Sequence, residues 1–170
     1  MPPVVGIIGK KNCGKTTLIE RLIPDLIDLG YRVGTIKHHH GDISIDQPGK
    51  DTWRHKQAGA EAVLLSSANG MALIRDTSRE IPVQELANLY FSDMDLVLTE
   101  GYKKEPNPKV EIFRSAVHSE PLPDPEGNLI ARMSDVETDT NILHFGLDES
   151  RALAQFIAEK IIMPARKANS

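Results

Sequence analysis

A single cysteine, Cys13, leaves no partner for an internal disulfide, and such sparse thiol usage suits a reducing cytoplasm. No apolar run approaches the about 20 residues needed to span a bilayer. The start, Met1-Pro2-Pro3, runs straight into an apolar stretch, so no signal peptide is expected. No basic excess is present either. The net charge is −4, which argues against a general nucleic-acid binder or a membrane-surface binder. Internal repeats and linkers are absent. What remains is an ordinary globular composition, 40 % hydrophobic and 26 % charged over 170 residues, enough for one domain with a sizeable core. The lone tryptophan, Trp53, reads most simply as a packing anchor.

The strongest local signal is Gly9-Lys10-Lys11-Asn12-Cys13-Gly14-Lys15-Thr16, which fits G-x-x-x-x-G-K-[ST], the phosphate-binding P-loop. Its setting matters as much as its letters. Val4-Val5-Gly6-Ile7-Ile8 before it is a β-branched apolar run that predicts a buried strand. After it, Leu18, Ile19, Leu22, Ile23, Leu26 and Ile27 recur at helical spacing. Gly9 and Gly14 allow a backbone path along which the N–H groups of the loop, through Lys10, Asn12 and Cys13, converge on phosphate oxygens. The positive end of the following helix adds to that field. Lys15 would reach the β- and γ-phosphates, and the Thr16 hydroxyl would ligate Mg²⁺. Cys13 reads as a small residue the loop can accommodate.

Further along, residues 32–37 predict a second strand that completes a parallel, right-handed βαβ unit, after Gly30 ends the first helix. Asp51 reads as the acidic N-cap of a short helix. Two apolar runs, residues 62–66 and 71–75, flank Asn69-Gly70, a strong hairpin signal. Pro82 opens another helix. Residues 96–100 read as a strand with Glu100 at its C-terminal end, and residues 110–114, 129–133 and 141–145 as later strands. The last helix starts after Asp148-Glu149-Ser150 and is expected to stop at Pro164. These elements predict an α/β chain, a three-layer P-loop NTPase fold with a mostly parallel, mixed central sheet. One domain is expected over residues 1–163, with a flexible tail at 164–170.

Other residues offer chemistry. P-loop NTPases hold Mg²⁺ with the loop hydroxyl and a carboxylate at the end of a neighbouring strand, and Glu100 has that position, as metal-linked or water-positioning group. Open parallel sheets gather ligands at the carboxyl ends of their strands. The run His38-His39-His40 invites a metal reading with His55 or Asp42. Adjacent side chains converge poorly on one ion, so hydrogen bonding to phosphate or within the loop is the preferred role, with His38 nearest the strand end. Asp46, Asp51, Arg54, His55 and Lys56 occupy the region where NTPases often sense the γ-phosphate, although a solvated helix face explains their charges equally well. Base recognition is weakly marked. No Asn/Thr-Lys-x-Asp motif follows the P-loop, and Asp135, beside Ser134 at a strand end, is the candidate carboxylate for the base.

Taken together, these segments resemble the MobB family, the molybdopterin-guanine dinucleotide biosynthesis adapter proteins. The resemblance is carried by residues 5–18, Thr35-Ile36-Lys37-His38, Asp46, Pro48-Gly49-Lys50-Asp51, Trp53-Arg54-His55, Gln57-Ala58-Gly59-Ala60 and Leu96-Val97-Leu98-Thr99-Glu100-Gly101-Tyr102-Lys103. It implies a P-loop fold with a mixed sheet, a homodimer, and GTP binding with Mg²⁺ and weak hydrolysis. It also implies a partner, the molybdenum cofactor guanylyltransferase MobA, which joins GMP to molybdopterin. By motif position Gly9, Gly14, Lys15, Thr16 and Thr17 carry over as phosphate and Mg²⁺ contacts, with Glu100 as the second acidic site. Lys10 sits where dimeric P-loop ATPases of the MinD type place a lysine that crosses to the partner's nucleotide, but Lys11 and Asn12 replace the glycines of that motif. Two other classes remain open. A nickel-insertion GTPase metallochaperone would use the histidine run. A small-molecule kinase would need a lid of arginines, which Arg75, Arg79 and Arg114 do not evidently form.

Overall fold

A computed structural model describes residues 1–39, 41, 45–124, 126–138 and 141–168. The elements follow in the order β1 (Val4–Ile8), α1 (Lys15–Asp28), β2 (Val33–Lys37), α2 (Asp51–Gln57), β3 (Ala62–Ser67), β4 (Gly70–Arg75), α3 (Val83–Tyr90), β5 (Leu96–Glu100), β6 (Lys109–Phe113), β7 (Leu129–Ser134), β8 (His144–Phe145), α4 (Ser150–Ile157), a π turn (Ala158–Ile162) and α5 (Met163–Ala168). Contacts divide them into two compact units, residues 1–38 with 82–170 and residues 39–81.

The larger unit holds a six-stranded sheet in the order β2-β5-β1-β6-β7-β8. All its strand pairs are parallel, which requires helical crossovers that cover the sheet on both faces. Strand alternation sorts the side chains accordingly. Val5, Ile7, Leu96 and Leu98 point to one face, where Leu18, Leu22 and Leu26 of α1 and Leu153 and Ile157 of α4 bury against them. Val4 and Val97 point the other way, onto Val83 and Ala87 of α3. Each fully buried aliphatic side chain contributes roughly 1.5–3 kcal/mol, so this double-sided packing fixes β1 at the centre of the sheet.

Helix α1 ends as its sequence suggests. Tyr31 N–H bonds to Leu26 O at 3.1 Å and Gly30 N–H to Ile27 O at 2.9 Å, a Schellman closure. Pro24 lies inside α1 without breaking it; it and Glu20, whose carbonyl loses its donor, are both exposed, so water can satisfy that group. Pro164 was expected to stop the last helix and does not. The π turn ahead of it changes the bonding register, with Met163 N–H reaching Ala158 O. Shifted five back, the ladder absorbs the missing donor and the helix continues to Ala168.

The smaller unit contains α2 and the antiparallel β3–β4 hairpin, turned at Asn69-Gly70 with Ser67 opposite Gly70. This pair is the antiparallel component of the strand set. The N-cap of α2 is Lys50, not Asp51, which is the first helical residue and makes no capping bond there; an acid in the first turn still complements the helix dipole. Among the described residues, no helix is long and apolar enough to cross a membrane.

Candidate functional site

The site begins at the C-terminal end of β1. A Cβ on Gly9 would stand 2.6 Å from the carbonyl oxygen of Ile112 on β6, so only glycine lets the loop lie this close to the neighbouring strand. The chain then passes through Asn12, at φ 65°, a left-handed conformation that asparagine tolerates better than most residues. Gly14, at φ 98°, is the N-cap of α1 and supplies no side-chain acceptor. The first-turn N–H groups are thus left for an external acceptor. Lys15 curls back over the loop, its Nζ donating to Lys10 O at 3.0 Å and Gly9 O at 3.3 Å. Cys13 is 1 % exposed, a buried packing residue.

Next to this loop stands β5. Its register with β2 sets Lys37 opposite Glu100. Thr16 Oγ1 donates to Glu100 Oε2 at 3.1 Å, and Lys37 Nζ lies 3.4 Å from the same oxygen. With 65 % of the Lys37 side chain exposed, that ion pair is worth at most about 1 kcal/mol and is easily exchanged. A hydroxyl and a carboxylate at the end of adjacent elements form a hard-oxygen donor set suited to Mg²⁺. The backbone turns sharply just after Glu100, with Gly101 at φ 105° and the buried Tyr102 at φ 51°. Tyr102 stacks on His38, ring centroids 4.6 Å apart, and His38 N–H bonds to Glu100 O at 3.0 Å. His38 therefore braces the strand end that carries Glu100.

A loop after β6 closes the other side. Lys10 Nζ donates to Glu120 O at 2.7 Å, and His118 Nε2 lies 2.8 Å from Lys11 O. Beneath it, Glu111 and Arg132 form a buried ion pair at 2.9 Å between β6 and β7. The remaining Glu111 oxygen accepts the Leu122 amide at 2.6 Å, and Arg132 also donates to Thr138 Oγ1 at 2.6 Å. Glu111, His118 and Arg132 carry no motif, and Lys37 lies in a segment of the resemblance that by itself assigns it no role. Strand register and contacts between separate segments of the chain reveal them.

The other sequence candidates are placed as follows. Thr17 is exposed on the first turn of α1. Asp135 accepts the Ser115 amide at 2.8 Å and the Ser115 hydroxyl at 3.1 Å; the amide bond leads in holding its pKa below the usual carboxylate value. Asp46 belongs to the smaller unit, where it accepts from the Gln47 amide at 2.8 Å and Thr52 Oγ1 at 3.1 Å. His40 and Asp42 lie outside the described residues. Among the described residues, no group of three or more His, Cys, Asp or Glu side chains is arranged to hold a metal ion.

A parallel sheet with a strand, glycine loop and helix at its centre, and a carboxylate on the adjoining strand end, defines an α/β protein of the P-loop NTPase type. A family model described as MobB, molybdopterin guanine dinucleotide synthesis protein B, matches residues 4–135. The chain belongs to the MobB family. It is 35 % identical over 156 residues to a molybdopterin-guanine dinucleotide biosynthesis adapter protein of Haemophilus influenzae, covering 91 % of this chain and 87 % of the relative. With the protein of the same name from Escherichia coli it shares 34 % identity over 163 residues, covering 94 % and 93 %. The crystal structure of Bacillus subtilis MobB superposes with a TM-score of 0.73 at 29 % identity, covering 92 % of this chain and 96 % of that one.

Proposed function

We propose that this chain binds GTP with Mg²⁺ at the Gly9–Thr16 loop, hydrolyses it weakly, and acts as a homodimeric accessory in the guanylylation of molybdopterin. On this reading it brings GTP or the pterin cofactor to the guanylyltransferase MobA, and the main synthetic step belongs to that partner. The observation carrying the reading is the Thr16–Glu100 contact beside the Gly9–Gly14 cradle, in a chain whose relatives are named biosynthesis adapters of molybdopterin-guanine dinucleotide.

Each residue has a distinct part. Loop amides and the α1 N-terminus donate to the phosphate oxygens, and the Lys15 ammonium exchanges two neutral carbonyls for charged oxygens, a stronger bond. Thr16 and Glu100 would hold Mg²⁺, which neutralises charge on the β- and γ-phosphates. Glu100 also has an oxygen with which to orient an attacking water.

Calorimetric titration with GTP and with ATP, each with Mg²⁺, tests the reading. GTP preference supports it and leads to co-purification with MobA and to a sedimentation measurement of the dimer. ATP preference, or none, argues for another nucleotide chemistry. Lys15→Ala is expected to abolish tight triphosphate binding with an unchanged circular dichroism spectrum; near wild-type affinity would remove the loop from the mechanism.

A further inference from the structure

Beside the phosphate cradle lies a cavity of about 190 Å³. Its lining includes Thr17, the apolar residues Ile112, Met133 and Leu147, and two arginines, Arg21 and Arg114. The arrangement follows from strand geometry. Alternation along β6 places Ile112 and Arg114 on the face that carries α1, and Ile112 pairs in register with Met133 of β7. Arg21 Nη1 is committed to Leu147 O at 3.1 Å. The Arg114 guanidinium, on an exposed residue, has no hydrogen-bond or ion-pair partner among the described residues.

Three features point to what this cavity takes. Gly14 of the phosphate-facing loop and Thr17 of the first turn of α1 both line the cavity, so a nucleotide on the loop can continue into it. Sites for drug-sized ligands run to about 300–1,000 Å³; the smaller volume here suits a fused ring rather than a whole nucleotide. Asp135, directly after β7, has both oxygens engaged by Ser115, the residue directly after Arg114. Its carboxylate braces the turn that presents Arg114.

We infer that this cavity is the base subsite and that Arg114 selects guanine there. The inference rests on the nucleotide-binding reading above. An arginine fork matches the adjacent O6 and N7 acceptors of guanine with two parallel hydrogen bonds. Adenine puts an amino group where O6 would be, setting donor against donor. Guanine preference then needs no carboxylate reader, in keeping with the missing Asn/Thr-Lys-x-Asp motif.

The test is titration of the full chain with GTP, ITP and ATP in the presence of Mg²⁺. ITP retains O6 and N7 but lacks the 2-amino group that a carboxylate would grip. ITP is expected to bind like GTP, with ATP weaker by about tenfold to a hundredfold, the range a bidentate arginine contact discriminates. Arg114→Ala should bring GTP and ITP down to the level of ATP. Arg114→Lys, which keeps the charge without the fork, should do the same and covers the case of a poorly folded alanine variant. ITP binding as weakly as ATP, or a GTP preference that survives in a folded Arg114 variant, overturns the inference. Equal affinity for all three nucleotides also overturns it, yet leaves nucleotide binding standing; binding of none removes both readings.

Discussion

Removing Arg132 should be among the most damaging single changes outside the apolar core. Its side chain is 6 % exposed and that of its partner Glu111 is 1 % exposed. Arg132→Ala strands the Glu111 carboxylate in the interior with the Leu122 amide as its remaining donor among the described residues. Leaving one member of a buried pair uncompensated costs about 3–5 kcal/mol. For a chain of this length each kcal/mol moves Tm by about 2–4 °C, so the midpoint should fall by roughly 6–20 °C. Glu111→Leu with Arg132→Met removes both charges and should recover much of that loss, less the cost of orphaning the Leu122 amide and the Thr138 hydroxyl. Differential scanning calorimetry of wild type, single and double variants gives the comparison. A fall of less than about 2 °C in Arg132→Ala, or a double variant no more stable than the single, would refute the reasoning. The damage should also spread to the cradle. Glu111 holds Leu122, and the same loop grips Lys10 and Lys11 through Glu120 and His118. Amide hydrogen exchange across residues 9–14 should therefore quicken in Arg132→Ala.

Glu100→Ala should reduce Mg²⁺-dependent hydrolysis more than nucleotide binding, since the loop amides and Lys15 remain; equal loss in both, measured by phosphate release and calorimetry, would make Glu100 a binding group only. Asp95 gives a pH signature. Burial pushes its pKa up, but the Arg32 amide bond together with Arg166, whose Nη2 lies 2.7 Å away, leaves it below 3.8. A carboxylate depressed in the folded state adds stability above its unfolded value and loses it as the pH falls through the folded one. Acid unfolding below about pH 4 should accordingly be shallower in Asp95→Asn than in wild type, and parallel curves would deny Asp95 this role.

Local signals were legible in the sequence, and distant ones were not. Residues 4–28 announced strand, loop and helix because glycine placement, β-branched residues and helical spacing all act over a few residues. Glu100 was legible because a carboxylate at a strand's end has one sheet edge to occupy. Pro164 misled for the opposite reason. A proline's local effect is to break a helix, and the π turn that rescues it carries no sequence mark. Lys37 reached the site only through the β2–β5 register, and Asp135 found Ser115 across a gap no pattern spans. His38 follows β2 on a loop as expected, and its stacking on Tyr102 has no mark in the sequence.

The contact between Gly9 and the Ile112 carbonyl has a consequence for how the loop meets an anion. The loop is moulded against β6 when the sheet forms, so its amides are gathered before any ligand arrives. Ordering entropy that would otherwise weaken binding is spent in folding. Affinity at the cradle is then coupled to the tightness of a strand that no phosphate needs to touch. Small losses of packing around Ile112 should appear first as weaker anion capture, while the rest of the sheet stays intact.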